Sequence, residues 1–341
     1  ACTSPQEEAI DRHALVTRNN PEVTAMDSLS SLSVGNGEFA YTVDATGLQT
    51  FPEVYKNGVP LGTQSQWGWH SFGNPENYKP EEALVEYDFG HGHKELYATQ
   101  PKEPDRAKEA SDWYRVNPHR LHLGIIGLEL ENEVRPSDVQ NIQQSLDMWN
   151  GIINSRFTLK ETPYHIQTVC HPERDMIAAR LSAQQPAGIK FHFPYPTGGH
   201  CDDACNWEAN DKHSTTLVSE DAQSAVLKRT LDATTYYVTI SWEGAAKLRE
   251  KSANYFVLTP TDSVFTFTCQ FTPQASASPI LTFAEVQQAS SGHWQNYWTQ
   301  GAVADFSQCT DVRAKELERR VVLSQYLLAI QCAGSTPPQE T

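Results

Sequence analysis

The stretch TYYVTISW, residues 235–242, carries an apolar or aromatic residue at every second position. Tyr236, Val238, Ile240 and Trp242 therefore fall on one face of an extended strand, and the more polar residues fall on the other. Such alternation is typical of a strand with one face buried in a core. The stretch predicts a β-strand that belongs to a packed sheet.

Segments of the same kind recur from about residue 30 to residue 275, with turn-forming residues between them. They are short and rich in β-branched and aromatic residues, which favours strands. The clearest are 37–43, 165–170, 189–193 and 263–269. Helical periodicity is nearly absent here, and we find no crossover helices of the kind that parallel strands need. We therefore predict a mainly β protein built on a large antiparallel sandwich.

The pattern changes near residue 282, where a helical stretch begins and continues to Trp298. A second helix is predicted from Asp311, as N-cap, to Ala333, with Gly334 as the stop. Its later part, VVLSQYLLAI, is apolar on nearly every face, which predicts burial on all sides. One sandwich cannot surround such a helix. We expect further helices to follow this sequence, or alternatively a partner chain to cover a helix that lies on the sheet.

Composition limits the classes of ligand. The 341 residues are 39% hydrophobic and 20% charged, and the net charge is −16. Nucleic-acid binding needs clustered Lys and Arg, so this charge argues against a nucleic-acid partner. It also disfavours an anionic membrane surface, and it fits a neutral ligand or simply good solubility. No apolar run reaches the roughly 18 residues that a membrane-spanning helix requires.

The sequence begins with a cysteine almost at the start, Cys2, followed by a mostly polar stretch. This arrangement resembles a mature bacterial lipoprotein in which Cys2 carries the lipid and residues 1–10 form a tether. It predicts an exported protein anchored in the periplasm or at the cell surface. The alternative is an incidental cysteine.

Six further cysteines follow. Cys201 and Cys205 are separated by three residues, a spacing that matches no zinc pattern and favours a local disulfide instead. Cys170 and Cys269 lie in apolar strand patterns and are predicted to be buried free thiols.

No catalytic motif is recognisable: the sequence has no nucleophile elbow, P-loop, dinucleotide fingerprint or HExxH motif. We therefore assign no catalytic residue, cofactor or metal. A glycosidase needs a pair of carboxyl groups, but their sequence spacing is not fixed. Acidic candidates are expected to be solvated surface groups; they are Glu38, Asp44, Glu53 and Glu76. His91 and His93 would share one face of a strand, although a hairpin turn is the favoured interpretation.

One segment is unusually aromatic for its turn-rich surroundings. This is QSQWGWHSF, residues 64–72, called the aromatic segment below. Sugar rings stack their C–H faces on indoles, and their hydroxyls need hydrogen-bond partners. Gln66, Trp67, Trp69 and His70 supply both, and we predict that they bind substrate. The alternative is that the two tryptophans, two residues apart, fill the core as in any strand.

Several short motifs occur in a recognisable order. They are SVGNGEF at 33–39, LDMWNG at 146–151, RFTL at 156–159 and HPERDMIAARL at 171–181, followed by a helical region with Trp294 and Trp298. This order resembles the N-terminal part of glycoside hydrolase family 65 and its relatives in the six-hairpin glycosidase superfamily. Residues 27–72 and 321–340 resemble a lipoprotein branch of that superfamily.

The resemblance implies a division of the chain. A β-supersandwich of the galactose-mutarotase-like type would occupy residues 11–275 and a helical linker residues 276–310. Residues 311–341 would form the first helix of an (α/α)6 catalytic barrel. In this family the catalytic acid lies in the barrel, beyond Thr341, so no residue of this sequence matches it.

The resemblance also implies a function. The parent protein would be a glycosidase, or a phosphorylase, acting on α-linked gluco-oligosaccharides. A barrel acid would protonate the leaving oxygen while water or phosphate attacks with inversion. The aromatic segment would lie at the rim of the sugar site, with the C-terminal barrel as its partner, and the chain alone would be inactive. The alternative is a non-catalytic carbohydrate-binding lipoprotein at the cell surface.

Overall fold

The computed structural model describes residues 10–199, 204–276 and 279–337. Within these ranges the chain is mainly β. The helices are α1 Arg12–Thr17, α2 Pro52–Tyr55, α3 Arg106–Val116, α4 Phe283–Thr299 and α5 Ala314–Gln331. The strands are β1 Glu22–Val23, β2 Leu32–Gly35, β3 Phe39–Val43, β4 Thr63–Ser65, β5 Trp69–His70, β6 Leu84–Asp88, β7 Lys94–Ala98, β8 His119–Arg120, β9 Ile125–Glu129, β10 Val139–Asp147, β11 Ile152–Leu159, β12 Thr162–Cys170, β13 Met176–Ser182, β14 Gly188–His192, β15 Tyr195–Pro196, β16 Cys205–Asn206, β17 His213–Glu220, β18 Ser224–Leu231, β19 Thr234–Glu243, β20 Ala246–Ser252, β21 Tyr255–Pro260 and β22 Val264–Thr272.

A nine-stranded sheet forms the framework, with the strand order β1-β10-β11-β12-β13-β22-β19-β18-β17. Every pair of neighbours that the described residues form in it is antiparallel. The stretch TYYVTISW lies in β19, between β18 and β22, and its alternation is real: Tyr236, Val238 and Ile240 are almost fully buried. The predicted antiparallel β architecture is confirmed, and so are the strands predicted around it.

Smaller sheets cover one face of the large sheet. The order of the four-stranded sheet is β20-β21-β14-β9, and that of the three-stranded sheet is β2-β3-β4. Phe191 of β14 meets Phe267 of β22 edge to face, with 6.0 Å between ring centroids. Phe39 of β3 stacks on Phe271 of β22 at 5.9 Å. These interdigitating rings form the core between two β layers, which is the packing that a sandwich requires.

Helix α4 covers the opposite face of the large sheet. Phe283 and Val286 of α4 pack with Ile152, Val169 and Met176, which are strand residues that point away from the sandwich core. A capping box starts the helix, because Thr282 Oγ1 accepts from the Glu285 amide and the Glu285 carboxylate accepts from the Thr282 amide. The helix predicted from residue 282 is confirmed.

Helix α5 lies against the sandwich with one stripe only. The buried residues are four apart in sequence: Ala314, Glu318, Val322, Tyr326 and Ile330. Leu327 and Leu328 on the other side are 37% and 58% exposed. In this chain, therefore, the predicted burial on all sides is not found. The ends also differ from prediction, since Arg313 is the N-cap and Cys332 the C-cap. Asp311 instead accepts from the Arg313 amide.

Sequence reasoning missed α3, which interrupts the β region. Asp105 caps it by accepting from the Lys108 amide, but most of its side chains are polar and only Ala110 and Ser111 are buried. A helix that buries so little has a weak hydrophobic period, so its pattern is easily overlooked. The predicted hairpin turn at residues 91–93 is confirmed, because β6 and β7 pair across it.

Other predictions concern single residues. Cys170 and Cys269 are buried as predicted, and burial raises the pKa of both thiols. Asp44 was expected to be solvated, and this is wrong. Its side chain is fully buried because it accepts hydrogen bonds from the backbone of residues 46, 50 and 51.

Some predictions concern features that the structure leaves open. Cys2 and Cys201 lie outside the described residues, so the lipid anchor and the bridge to Cys205 stay predictions. The predicted domain limits near 275 and 310 fall before and after α4 and likewise stay predictions. Among the described helices, none has the length and apolar character needed to cross a bilayer.

Candidate functional site

The aromatic segment links β4 to β5 through a tight turn. The Gly68 amide donates to the Ser65 carbonyl and the Trp69 amide donates to the Trp67 carbonyl, both within 2.9 Å. After the turn, β5 pairs with β8 so that Trp69 is opposite Arg120 and His70 is opposite His119. The turn separates the two tryptophans: Trp67 belongs to it, and Trp69 to the strand that follows.

Trp67 is partly buried and is anchored against the core. Its indole Nε1 donates to Asp175 Oδ2 at 2.6 Å, and its ring lies 5.9 Å from that of Tyr236. Ser65 Oγ donates to the same carboxylate oxygen at 2.5 Å. Burial raises the pKa of Asp175, although these hydrogen bonds to its carboxylate act in the opposite direction. Trp67 therefore fixes the path of the aromatic segment, because its ring packs on Tyr236 and its indole N–H is bound by Asp175.

Trp69 borders an open cleft. Its half-buried ring carries the Arg120 guanidinium 4.5 Å from the ring centroid. Arg120 is held in turn by the carbonyls of Ser65 and Gln66, to which its Nη1 donates. The cleft has a volume of about 310 Å³, and Gln64 and Arg115 also line it. We call it the Trp69 cleft. It offers an indole, an amide and guanidinium donors to one ligand.

His70 is buried and cannot contact a ligand directly, since its side chain has no exposed surface. Its Nδ1 lies 3.0 Å from Nε2 of His119, and its Nε2 lies 3.0 Å from Asp232 Oδ2. His119 Nδ1 lies 2.7 Å from the Val116 carbonyl, so this nitrogen must carry a hydrogen. The hydroxyl of Tyr195 donates to the same oxygen of Asp232 at 2.7 Å. His70 therefore positions β5 behind the cleft.

The hydrogen count along this chain of atoms is constrained. With both rings neutral, His119 Nε2 accepts from His70 Nδ1, and His70 Nε2 is left without a hydrogen opposite a carboxylate. The short contact to Asp232 therefore requires one further proton in the cluster. Burial lowers the pKa of both imidazoles and opposes that proton. The 3.0 Å contacts of His70 with His119 and Asp232 favour the additional proton.

Gln66 connects the aromatic segment to the residues that follow α5. Its side-chain amide lies among Glu38, Ser335 and Thr336. The Ser335 amide donates to Glu38 Oε1 at 2.6 Å. Glu38, which precedes β3, is half-buried. Its carboxylate faces the residues that follow α5. The four predicted residues therefore have different surroundings. Gln66 contacts the residues after α5 and Trp67 contacts Asp175, whereas Trp69 lines the cleft and His70 lies buried behind it.

Several residues at this site were not predicted. Arg120 and His119 come from β8, Asp175 precedes β13, and Asp232 lies in the two-residue turn between β18 and β19. No local pattern marks these residues, because their partners are far away in sequence. Within the described ranges, no group of three or more potential metal ligands is assembled.

Comparisons with known proteins give little. No protein-family description matches the chain, and no curated protein matches it. A solved structure titled "Putative kojibiose phosphorylase from human microbiome" is similar to 87% of this chain, with 10% sequence identity and a TM-score of 0.45. The chain covers 39% of the length of that structure. At this identity and TM-score, no conclusion about this chain rests on the likeness.

Proposed function

We propose that this chain is the β-sandwich part of a carbohydrate-active enzyme that resembles glycoside hydrolase family 65. In this proposal the Trp69 cleft binds part of an α-linked gluco-oligosaccharide. The observation that carries the proposal is a half-buried indole at an open cleft with amide and guanidinium donors around it. A sugar presents apolar C–H faces to such a ring and hydroxyls to such donors. The order of motifs along the sequence supports the same class of ligand.

The catalytic step is proposed to use residues of a C-terminal (α/α)6 barrel outside this sequence. A carboxylic acid there would protonate the leaving oxygen, and an activated water or phosphate would attack with inversion. The contacts of Glu38 and Gln66 with residues 335 and 336 support a sugar site that continues past α5. Trp67 and His70 hold the rim in place, and Trp69 touches the sugar.

The location of the protein is part of the proposal. We propose export to the periplasm or cell surface, with a lipid on Cys2. A non-catalytic carbohydrate-binding lipoprotein with the same cleft is the second candidate. The two differ in the coding sequence after Thr341: a further helical region of about 300 residues favours the enzyme, and a stop codon favours the binding protein.

Trp69→Ala is expected to weaken binding of maltotriose by about ten- to a hundredfold, because the apolar face of a sugar loses a contact worth about 1.5–3 kcal/mol. Isothermal titration calorimetry of this chain measures the affinity. Trp149→Ala is the matched control, because Trp149 is also half-buried but does not line the cleft, and we expect it to leave the affinity nearly unchanged. If Trp69→Ala binds as tightly as the unmodified protein, the cleft is not the sugar site.

A further inference from the structure

A second pocket, of about 350 Å³, lies on the outer face of the four-stranded sheet. Three rings form its floor and wall. The His192 imidazole lies 4.7 Å from the Tyr255 ring and 4.9 Å from the Trp207 ring, measured between centroids. We call it the Trp207 pocket.

The sheet register explains why these rings face outward. Ile189 and Phe191 of β14 are buried in the sandwich core, so His192, next to Phe191, points to the opposite side. His192 pairs with Tyr255 of β21 in register, which places the two rings side by side on one face. Trp207, which follows β16, then packs against His192. This arrangement is built by strand pairing and does not depend on a flexible side chain.

Polar atoms in the pocket are available to a ligand. Among the described residues, neither the His192 imidazole nor the Trp207 indole N–H has a hydrogen-bond partner, and both side chains are half-buried. The Lys190 ammonium donates to the Thr50 carbonyl at 2.8 Å. A ligand that brings hydroxyl groups would supply both a donor and an acceptor to the unpaired ring atoms.

The imidazoles of the pocket are uncharged near neutral pH. Burial lowers the pKa of His122 and of His192 to about 4. Glu53 offsets one of the two lysines, Lys56 and Lys190, and the Lys190 ammonium is already bound to the Thr50 carbonyl, so the charge left to attract an ionic ligand is small. Aromatic faces combined with neutral hydrogen-bonding groups suit a neutral, hydroxyl-rich ring.

The Trp207 pocket is adjacent to the Trp69 cleft. Pro60, Leu61, His122 and Cys205 line both, so the two are adjacent along one surface. From this shared lining we infer that they form a single groove that binds a linear neutral oligosaccharide. Trp69 contacts the sugar at one end of the groove, and Trp207 with His192 and Tyr255 contacts sugars at the other. This inference rests on the proposed function, and it adds that the bound oligosaccharide is long enough to span both pockets.

Chain length provides the test. Calorimetric affinities are measured for α-linked gluco-oligosaccharides from the disaccharide to the heptasaccharide. We expect the affinity of the unmodified protein to rise with length. Trp207→Ala should lower the affinity for the longest sugar about tenfold and leave that for the disaccharide unchanged, and Trp207→Phe should have a smaller effect. Trp69→Ala should weaken binding at every length.

Trp149→Ala is the matched control, because it removes a half-buried tryptophan in the β10–β11 turn, outside the groove. It should not change the dependence on length. If disaccharides bind but length or Trp207→Ala has no effect, the extended groove is refuted and the proposed function stands. If no saccharide of any length binds, the proposed function itself fails. Circular dichroism confirms that each variant is folded.

Discussion

Asp232 is the residue on which the support of the Trp69 cleft depends most directly. It lies in a tight turn with φ of 48°, and its carboxylate receives both the Tyr195 hydroxyl and His70 Nε2. Burial, together with this carboxylate, raises the pKa of Tyr195 to about 12. The contact with His70 Nε2 links the orientation of β5 to a side chain 162 positions away.

Replacing Asp232 tests the hydrogen count in this cluster. Asp232→Ala removes the carboxylate that faces the buried His70 imidazole and accepts from the Tyr195 hydroxyl, and should cost about 1–3 kcal/mol in the free energy of unfolding. Asp232→Asn can donate an amide hydrogen to a neutral His70, so we expect a loss below about 1 kcal/mol. Urea denaturation of both variants at pH 7 measures the difference. Equal losses for Ala and Asn would contradict the assignment of the hydrogens.

At the residue scale, the sequence predicted a binding role for the aromatic segment, but it did not predict that Trp67 and Trp69 have different surroundings. A spacing of two suggests a common face on a strand. The turn at residues 65–68 breaks that relation, so Trp67 packs inward against Tyr236 while Trp69 borders the cleft. The deciding contacts come from Asp175 and Arg120, which no local pattern connects to residues 64–72.

At the scale of elements, the packing of α5 against the sandwich depends on Tyr326. Tyr326 stacks on Trp294 of α4 with 4.5 Å between centroids, and its hydroxyl donates to the Ser33 carbonyl of β2 at 3.0 Å. One residue thus connects both helices to the sandwich. The apolar composition predicted that this helix is buried. Which of its faces packs against the sandwich is decided by distant partners such as Trp294 and Ser33.

Tyr326→Phe should keep the stacking on Trp294 and lose only the bond to the Ser33 carbonyl. We expect the free energy of unfolding to fall by about 1–2 kcal/mol, because a buried carbonyl is left without its partner. Tyr326→Ala also leaves a cavity and should cost about 3–5 kcal/mol. Thermal or urea unfolding measures both. A loss for Phe as large as that for Ala would show that the hydroxyl, not the ring, dominates the docking of α5.

At the scale of the whole molecule, Arg229 joins the two β layers. Its side chain is fully buried and donates to the Pro194 carbonyl, to Asn254 Oδ1 and to His213 Nδ1. Among the described residues it has no carboxylate partner. Its charge is instead met by neutral oxygens, an imidazole nitrogen and the Phe193 ring at 5.0 Å. Protonating His213 would place a second cation against this guanidinium.

This arrangement gives the fold a predictable response to acid. Burial, followed by the charges of Arg229 and His192, lowers the pKa of His213 to about 4, against about 6.5 in an unfolded chain. The unfolded state therefore binds the extra proton between these values, and the free energy of unfolding falls as pH drops from about 6.5 to 4. The contribution of His213 is about 3 kcal/mol in full.

His213→Asn retains an acceptor for Arg229 and removes this titration. Urea unfolding between pH 7 and pH 4 should show a shallower loss of stability for the variant than for the unmodified protein. The pH slopes are compared, since the substitution also changes packing. Parallel slopes would show that His213 is not held neutral by its surroundings.

The sequence by itself determined what is encoded in local periodicity. Alternation predicted the strands of an antiparallel β protein, apolar surroundings predicted the buried thiols, and the change of pattern after residue 282 with its helix start and stop signals predicted α4 and α5. Only the tertiary structure decided which of the two tryptophans of the aromatic segment lines the Trp69 cleft. The pairs that set this, Trp67 with Asp175 and His70 with Asp232, join residues more than 100 positions apart. Sheet register brings such residues together, and register depends on the packing of the whole chain rather than on any single segment.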